Sequence, residues 1–276
     1  MSRLLTFIIF SMMILPVSAA RLAIVIDDLG YRKEIEKKII QLSPKITVAV
    51  LPNSPNAKYM AMYANSYGNQ VMIHLPMAPI HLTGLEKDTL FPNMSQTEVT
   101  RIIDEAITKV PYAVGINNHM GSRMTSSLPG MKKVMASLSK YTLFFLDSRT
   151  IATTCVKEAA DSYQINVLSR DIFLDDTISE ADIAAQFDIA IQLARKNGYA
   201  IAIGHPHEQT FNVLYQKLLQ LPDDIQLITP SELLQPSQHS PTVGQVWKFL
   251  VSDIKVLIDN WNFQLKNRNI SNKFYY

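Results

Sequence analysis

Apolar runs and helical periods alternate along most of the chain. Leu22 to Ile26 is an unbroken apolar run, the pattern of a strand buried on both faces. Asp27 and Asp28 follow it, then Gly30 and a predicted helix over Tyr31–Leu42. The same unit recurs. Strands are predicted at 46–51, 71–73, 113–116, 142–146, 165–168, 200–203 and 225–228. Helices are predicted at 56–66, 95–110, 129–140, 154–163, 179–197 and 208–220. Ser95-Gln96-Thr97-Glu98 has the spacing of a capping box, and Val99, Ile102, Ile103 and Ala106 mark the apolar face behind it. Ser179 caps the long helix that Gly198 stops. Residues 77–94 have no period and read as a long loop, a feature often tied to function. Strands alternating with helices require a parallel sheet. Seven or eight such units in 21–235 predict a distorted parallel (β/α)7–8 barrel rather than an open sheet.

The two ends differ from this core. Arg3, the apolar stretch Leu4–Leu15, Pro16 and the small residues Ser18-Ala19-Ala20 have the layout of a secretory signal peptide. The apolar stretch falls short of the roughly 20 residues that span a bilayer. The expectation is a leader over 1–20, a mature chain starting near Arg21, and a periplasmic or otherwise exported protein; an uncleaved anchor is the alternative. Residues 236–241 read as a linker. Val243, Val246, Leu250, Ile254, Leu257 and Trp261 then line one face of a helix over 243–265. That helix either packs back on the domain or attaches to a partner or a membrane surface.

Composition narrows the function classes. The chain of 276 residues is 47% hydrophobic and 18% charged, enough to bury a sizeable core. Its 26 basic and 24 acidic residues give a net charge of +2, which makes no case for nucleic-acid binding. Cys155 is the lone cysteine, so an internal disulfide and a multi-cysteine zinc site are excluded. There is no Gly-x-Ser-x-Gly elbow and no glycine-rich phosphate loop.

Candidate chemistry gathers where the strands end: Asp27-Asp28, His74, His119, Asp147-Ser148, Asp171 and His205/His207. Ligands collect at the carboxyl ends of parallel strands. If the sheet closes, these residues share one rim. Asp and His together suit a divalent metal, zinc above all; a merely polar rim, with Asp27-Asp28 only capping a helix, is the plainer alternative. Given a metal, one aspartate binds it and its neighbour takes a proton from a water the ion has acidified, while a histidine opposite protonates the leaving group. Those parts describe metal-assisted hydrolysis, of an acyl group or of a phosphoester.

Four stretches add a resemblance: Leu22–Tyr31 with its Asp-Asp-Leu-Gly-Tyr, Ile73-His-Leu-Pro-Met-Ala-Pro79, Gly115-Ile-Asn-Asn-His-Met-Gly-Ser122 and Gly204-His-Pro-His207. Over residues 21–235 the chain resembles the divergent polysaccharide deacetylases, exported bacterial relatives of the NodB-type carbohydrate esterases. The resemblance implies that Asp27 is the base and Asp28 a metal ligand. It places His74 as the first metal histidine, but the second histidine of that family motif is missing, and His119 is the candidate to replace it. By the same pattern His205 is the general acid, with His207 an alternative acid or ligand. Arg123 lies in the region of the usual Arg-Pro-Pro-Tyr stretch, which is absent. Asp147, Arg123, Asp171 and His207 are the candidate substrate contacts. The implied activity is removal of N- or O-acetyl groups from a cell-envelope carbohydrate polymer. A non-catalytic protein that binds glycan or an envelope partner on the same fold is the alternative.

Overall fold

The computed structural model describes residues 19–235; all but the last two residues of the leader expected over 1–20, the linker expected at 236–241 and the helix expected over 243–265 lie outside the described residues. In chain order the elements are β1 (Ala20–Leu29), α1 (Lys33–Ile40), β2 (Thr47–Val50), α2 (Ala57–Ser66), β3 (Val71–Met77) and α3 (Gln96–Lys109). Then come β4 (Ala113–Met120), α4 (Ser122–Thr125), α5 (Leu128–Leu138), β5 (Phe144–Asp147), α6 (Val156–Asp161), β6 (Val167–Ser169) and β7 (Ile172–Phe173). The last are α7 (Glu180–Asn197), β8 (Tyr199–Gly204), α8 (Glu208–Leu219), β9 (Ile225–Ile228) and α9 (Pro230–Leu234).

All strand pairings are parallel, in the order β6-β5-β4-β3-β2-β1-β8-β7. This is a curled half-barrel wrapped by helices. Its two ends, β6 and β7, are one stretch of chain interrupted by Arg170-Asp171. The first part pairs with β5 and the second with β8. The single strand expected at 165–168 is therefore two short ones that change neighbours. One edge of β1 is shared as well: β9 pairs with Ala20–Ala23, and β2 takes over from Val25.

Side-chain alternation divides the core in two. Leu22, Ile24 and Ile26 face the helices and join the large apolar cluster there. Ala23 and Val25 face the concave side, where they meet Ala49, Met72, Phe144, Leu146, Ile201 and Ile203. The concave space is narrow. A Cβ on Gly115 would lie 2.7 Å from the Phe144 ring, so only glycine fits that level of β4. Leu233 and Leu234 of α9 pack against this cluster from below.

Two local expectations need correction. The strands run further than the apolar runs: β3 and β4 stay paired through Met77↔Met120, so His74 and His119 lie within paired strand rather than at its end. Backbone pairing continues although the side chains have turned polar. At α3, Ser95 Oγ accepts the Glu98 N–H (3.2 Å), but the Glu98 carboxylate pairs with Arg101 (2.8 Å) instead of returning to the Ser95 backbone. Half of the box is made.

Candidate metal and hydrolase site

Five strands carry their inward series upward from apolar to polar. After Ala23 and Val25 comes Asp27; after Met72, His74; after Gly115, Asn117 and then His119; after Phe144 and Leu146, Ser148; after Ile201 and Ile203, His205. Asp27, Asp28, His74, His119, Ser148 and His205 all line one cleft of about 210 Å³. In a regular strand Asp27 and Asp28 would face opposite sides. Here the β1–β2 register shifts between Ile26 and Leu29, and Asp28 takes a left-handed φ of 59°. That bulge turns both carboxylates toward the mouth. Met120 (φ 52°) and Arg149 (φ 48°) share this uncommon conformation, and backbone strain of this kind clusters at functional sites.

Three atoms from three strands converge. Asp28 Oδ1 lies 3.2 Å from His74 Nε2 and 2.9 Å from His119 Nδ1. The two ring nitrogens are 3.1 Å apart. Separations of roughly 3 Å are what bonds of about 2.0–2.2 Å to one shared ion produce. His74 Nδ1–H donates to Asn117 Oδ1 (2.8 Å), which leaves Nε2 with its lone pair toward the other two atoms. Asp28 Oδ1 is buried yet makes no hydrogen bond of acceptable geometry. A buried carboxylate oxygen facing imidazole lone pairs is a poor arrangement unless a cation or a proton lies among them. The donor set fits a divalent metal.

The electrostatics also favour positive charge. Burial works to raise the Asp28 carboxyl, but His119 and His74 outweigh it and hold it well below the usual carboxylate range. Burial works to lower His74, but Asp27 and Asp28 outweigh it and push it up. For Asp27 burial wins and its pKa is raised, against the pull of His74 and His205. Asp27 Oδ1 accepts from Asn117 Nδ2 (2.8 Å), and its Oδ2 is 3.6 Å from His74 Nδ1.

On the far side of the cleft, His205 Nε2 is 4.0 Å from Asp28 Oδ2. Its Nδ1 bonds Asp175 Oδ1 (2.8 Å). Asp175 is itself fixed by the His205 N–H (2.6 Å) and by the Thr210 hydroxyl (2.7 Å). Burial pulls His205 down, but the bond to Asp175 more than offsets it, and the pKa is raised to about 9. The Phe173 ring stacks near it, centroids 6.1 Å apart, and the Arg170 guanidinium covers Phe173 at 3.7 Å.

The four candidate substrate contacts do not line this cleft. Asp147 has the opposite parity to Leu146 and Ser148. It is buried, and its carboxylate accepts the Arg149 N–H (2.8 Å). Asp171 accepts the Ile201 N–H (2.8 Å), so it completes the sheet where β7 meets β8. Arg123 is exposed on α4. His207 is the N-cap residue of α8, its ring 6.2 Å from that of His205, and burial lowers its pKa. Asn117 and Asp175 are site residues outside the sequence-based candidates, and Ser148 stood among the strand-end candidates without a role.

A family model for divergent polysaccharide deacetylases matches residues 24–234. The chain belongs to the divergent polysaccharide deacetylase family. It is 54% identical over 223 residues to the uncharacterized protein YibQ of Escherichia coli (strain K12), covering 81% of this chain and 70% of that one. It is 40% identical over 222 residues to an uncharacterized protein of Haemophilus influenzae, covering 80% and 79%. Among solved structures, the uncharacterized protein ATU2773 of Agrobacterium tumefaciens C58 shares the fold. Its TM-score is 0.73 at 22% identity, over 78% of this chain and 89% of that one.

Proposed function

We propose that this family member is an exported, metal-dependent hydrolase that removes acetyl groups from a cell-envelope glycan. The observation that carries the reading is the meeting of Asp28 Oδ1, His74 Nε2 and His119 Nδ1 within about 3 Å of one another, in a cleft that Asp27 and His205 also line. Asp28, His74 and His119 would hold a divalent ion, zinc by their chemistry. When bound, such an ion supplies Lewis acidity to the acyl carbonyl. Asp27, its pKa raised by burial, takes a proton from the attacking water. His205, kept protonated through Asp175, gives a proton to the departing amine or alkoxide. Asn117 ties the two halves together. One amide group orients both the Asp27 carboxylate and the His74 ring, the outer-shell role such partners serve.

Purified full-length protein should carry a stoichiometric divalent metal and release acetate from N- or O-acetylated envelope oligosaccharides. Chelation should abolish the release, and zinc should restore it. A metal-free protein that stays inactive when zinc is added, or saturable glycan binding with no acetate released, overturns the reading.

A further inference from the structure

The cleft at the mouth, at about 210 Å³, is smaller than the roughly 300–1,000 Å³ of typical ligand sites. It has room for an acyl group and the reacting atoms, and the body of a glycan would extend out of it. A second concavity, of about 510 Å³, lies on the turn that follows Asp28. Its walls include Tyr31, Arg32, Lys33, Glu34, Asn56 and Glu208. The two sites are neighbours. Tyr31 lies three residues past Asp28, within about 11 Å along even an extended chain, and Glu208 directly follows His207.

Charge pairing within this groove is uneven. Glu34 has Lys37 at 3.8 Å, and Glu208 has Lys38 at 3.4 Å. Among the described residues Arg32 and Lys33 have no ion-pair partner. Lys33 lies over the Tyr59 ring at 5.2 Å, which leaves its charge uncancelled. Both are exposed. The acids of the groove are thus matched by lysines of α1, and two cations remain. The backbone amides at this turn are not part of the offer, because Glu36 Oε1 already accepts from Tyr31 N (3.0 Å) and Arg32 N (2.6 Å). Tyr31 donates its hydroxyl to Glu86 (2.8 Å), which is not on the groove wall and pins the half-exposed ring as an apolar plate.

We infer that this groove is a saccharide subsite selective for an anionic sugar, in which Arg32 and Lys33 meet a carboxylate or phosphate of the glycan while its acetylated neighbour enters the cleft. The inference rests on the proposed hydrolase reading for the second half of that statement only. Arg32 and Lys33 touch none of the reacting groups, so they act as specificity residues.

Binding to the full-length protein, stripped of metal and kept in chelator, tests the groove without the cleft chemistry. Three oligosaccharide probes of equal length serve: neutral N-acetylglucosamine, one with N-acetylmuramic acid carboxylates, and one bearing phosphate. At least one acidic probe should bind about fivefold more tightly than the neutral one, the effect of one or two exposed charge pairs. The preference should fade with added salt. Arg32→Glu with Lys33→Glu should abolish it without changing the thermal midpoint, and the single Gln variants should give intermediate values. Which acidic probe gains decides between carboxylate and phosphate. Equal binding of all three probes, or a preference that survives the double reversal, overturns the inference. Acetate release is scored separately. Release with no acidic preference sinks the groove and leaves the hydrolase, whereas an Arg32-dependent preference with no release does the reverse.

Discussion

The concave side of the sheet holds two regions built on the same strands one step apart. The lower region, around Val25, Met72, Leu146 and Ile203, is apolar and buried. The upper one, around Asp27, His74, Asn117, Ser148 and His205, is polar and hydrogen-bonded across strands. Moving two residues along a strand changes the side chain from floor to mouth and leaves the backbone pairing intact. The floor therefore contributes stability through burial, and the mouth is free to hold groups that destabilise a core. Variants in the two regions should fail in different ways.

The largest separation is expected from Asp27→Asn. If Asp27 is the proposed general base, turnover of an acetylated glycan should fall by about 10²–10⁴-fold, with metal content and thermal stability nearly unchanged. Asp27 also lies 3.6 Å from His74 Nδ1, the ring nitrogen turned away from Asp28 and His119. If the variant loses metal but keeps its rate per bound ion, Asp27 orients His74 and is not the base.

The floor should respond the opposite way. Leu146→Ala removes a fully buried side chain and should cost about 2–5 kcal/mol of stability, read by denaturant unfolding, while the rate per folded molecule persists. A variant as stable as the parent would mean that the floor is not the packed layer described.

Asn117→Ala lies between these two. It removes the amide that fixes both Asp27 and His74, and it leaves Asp28, His74 and His119 in place. Zinc affinity should fall by about 10–100-fold in a competition titration, more than any loss of stability explains. Unchanged affinity would remove Asn117 from the site.

The same two-region view explains what was legible in the sequence. The alternation of apolar runs and helices was enough for a parallel, curled sheet, and the polar breaks at Asp27, His74, His119 and His205 marked the mouth. Which of two adjacent polar residues faces inward was not legible. In strands buried on both faces, as Leu22–Ile26 is, hydrophobicity carries no parity signal. Asp147 was therefore given a substrate-contact role, and Ser148 beside it none. Counting by twos from Phe144 and Leu146 would have found the serine, had the inward face been known. Asn117 lacks a titratable group and gave no acid–base signal. Asp171 was preferred to Asp175 because the strand before them read as one piece. In the fold the chain changes neighbours at Arg170-Asp171, and the carboxylate that reaches His205 comes four residues later.

That carboxylate supplies the smallest and most specific test, Asp175→Asn. The substitution keeps an acceptor for the His205 N–H but removes the charge that raises the ring to about 9. Burial, which favours the neutral form, is then opposed only by the more distant charges of Asp27 and Asp28. In metal-free protein the His205 pKa, followed by ring-proton NMR, should fall by a unit or more, about a tenfold change in proton affinity. The sign for stability follows from the folded value lying above the ordinary 6.5. Protonated His205 stabilises the wild-type fold fully below pH 6.5, and that contribution is lost as pH rises through about 9. Wild-type stability should therefore decline across this window relative to the variant, whose curve should be flatter there. A His205 titration unmoved by Asp175→Asn would show that the mouth's other carboxylates, Asp27 and Asp28, hold the proton, and the acid assigned to the leaving group would lose its partner.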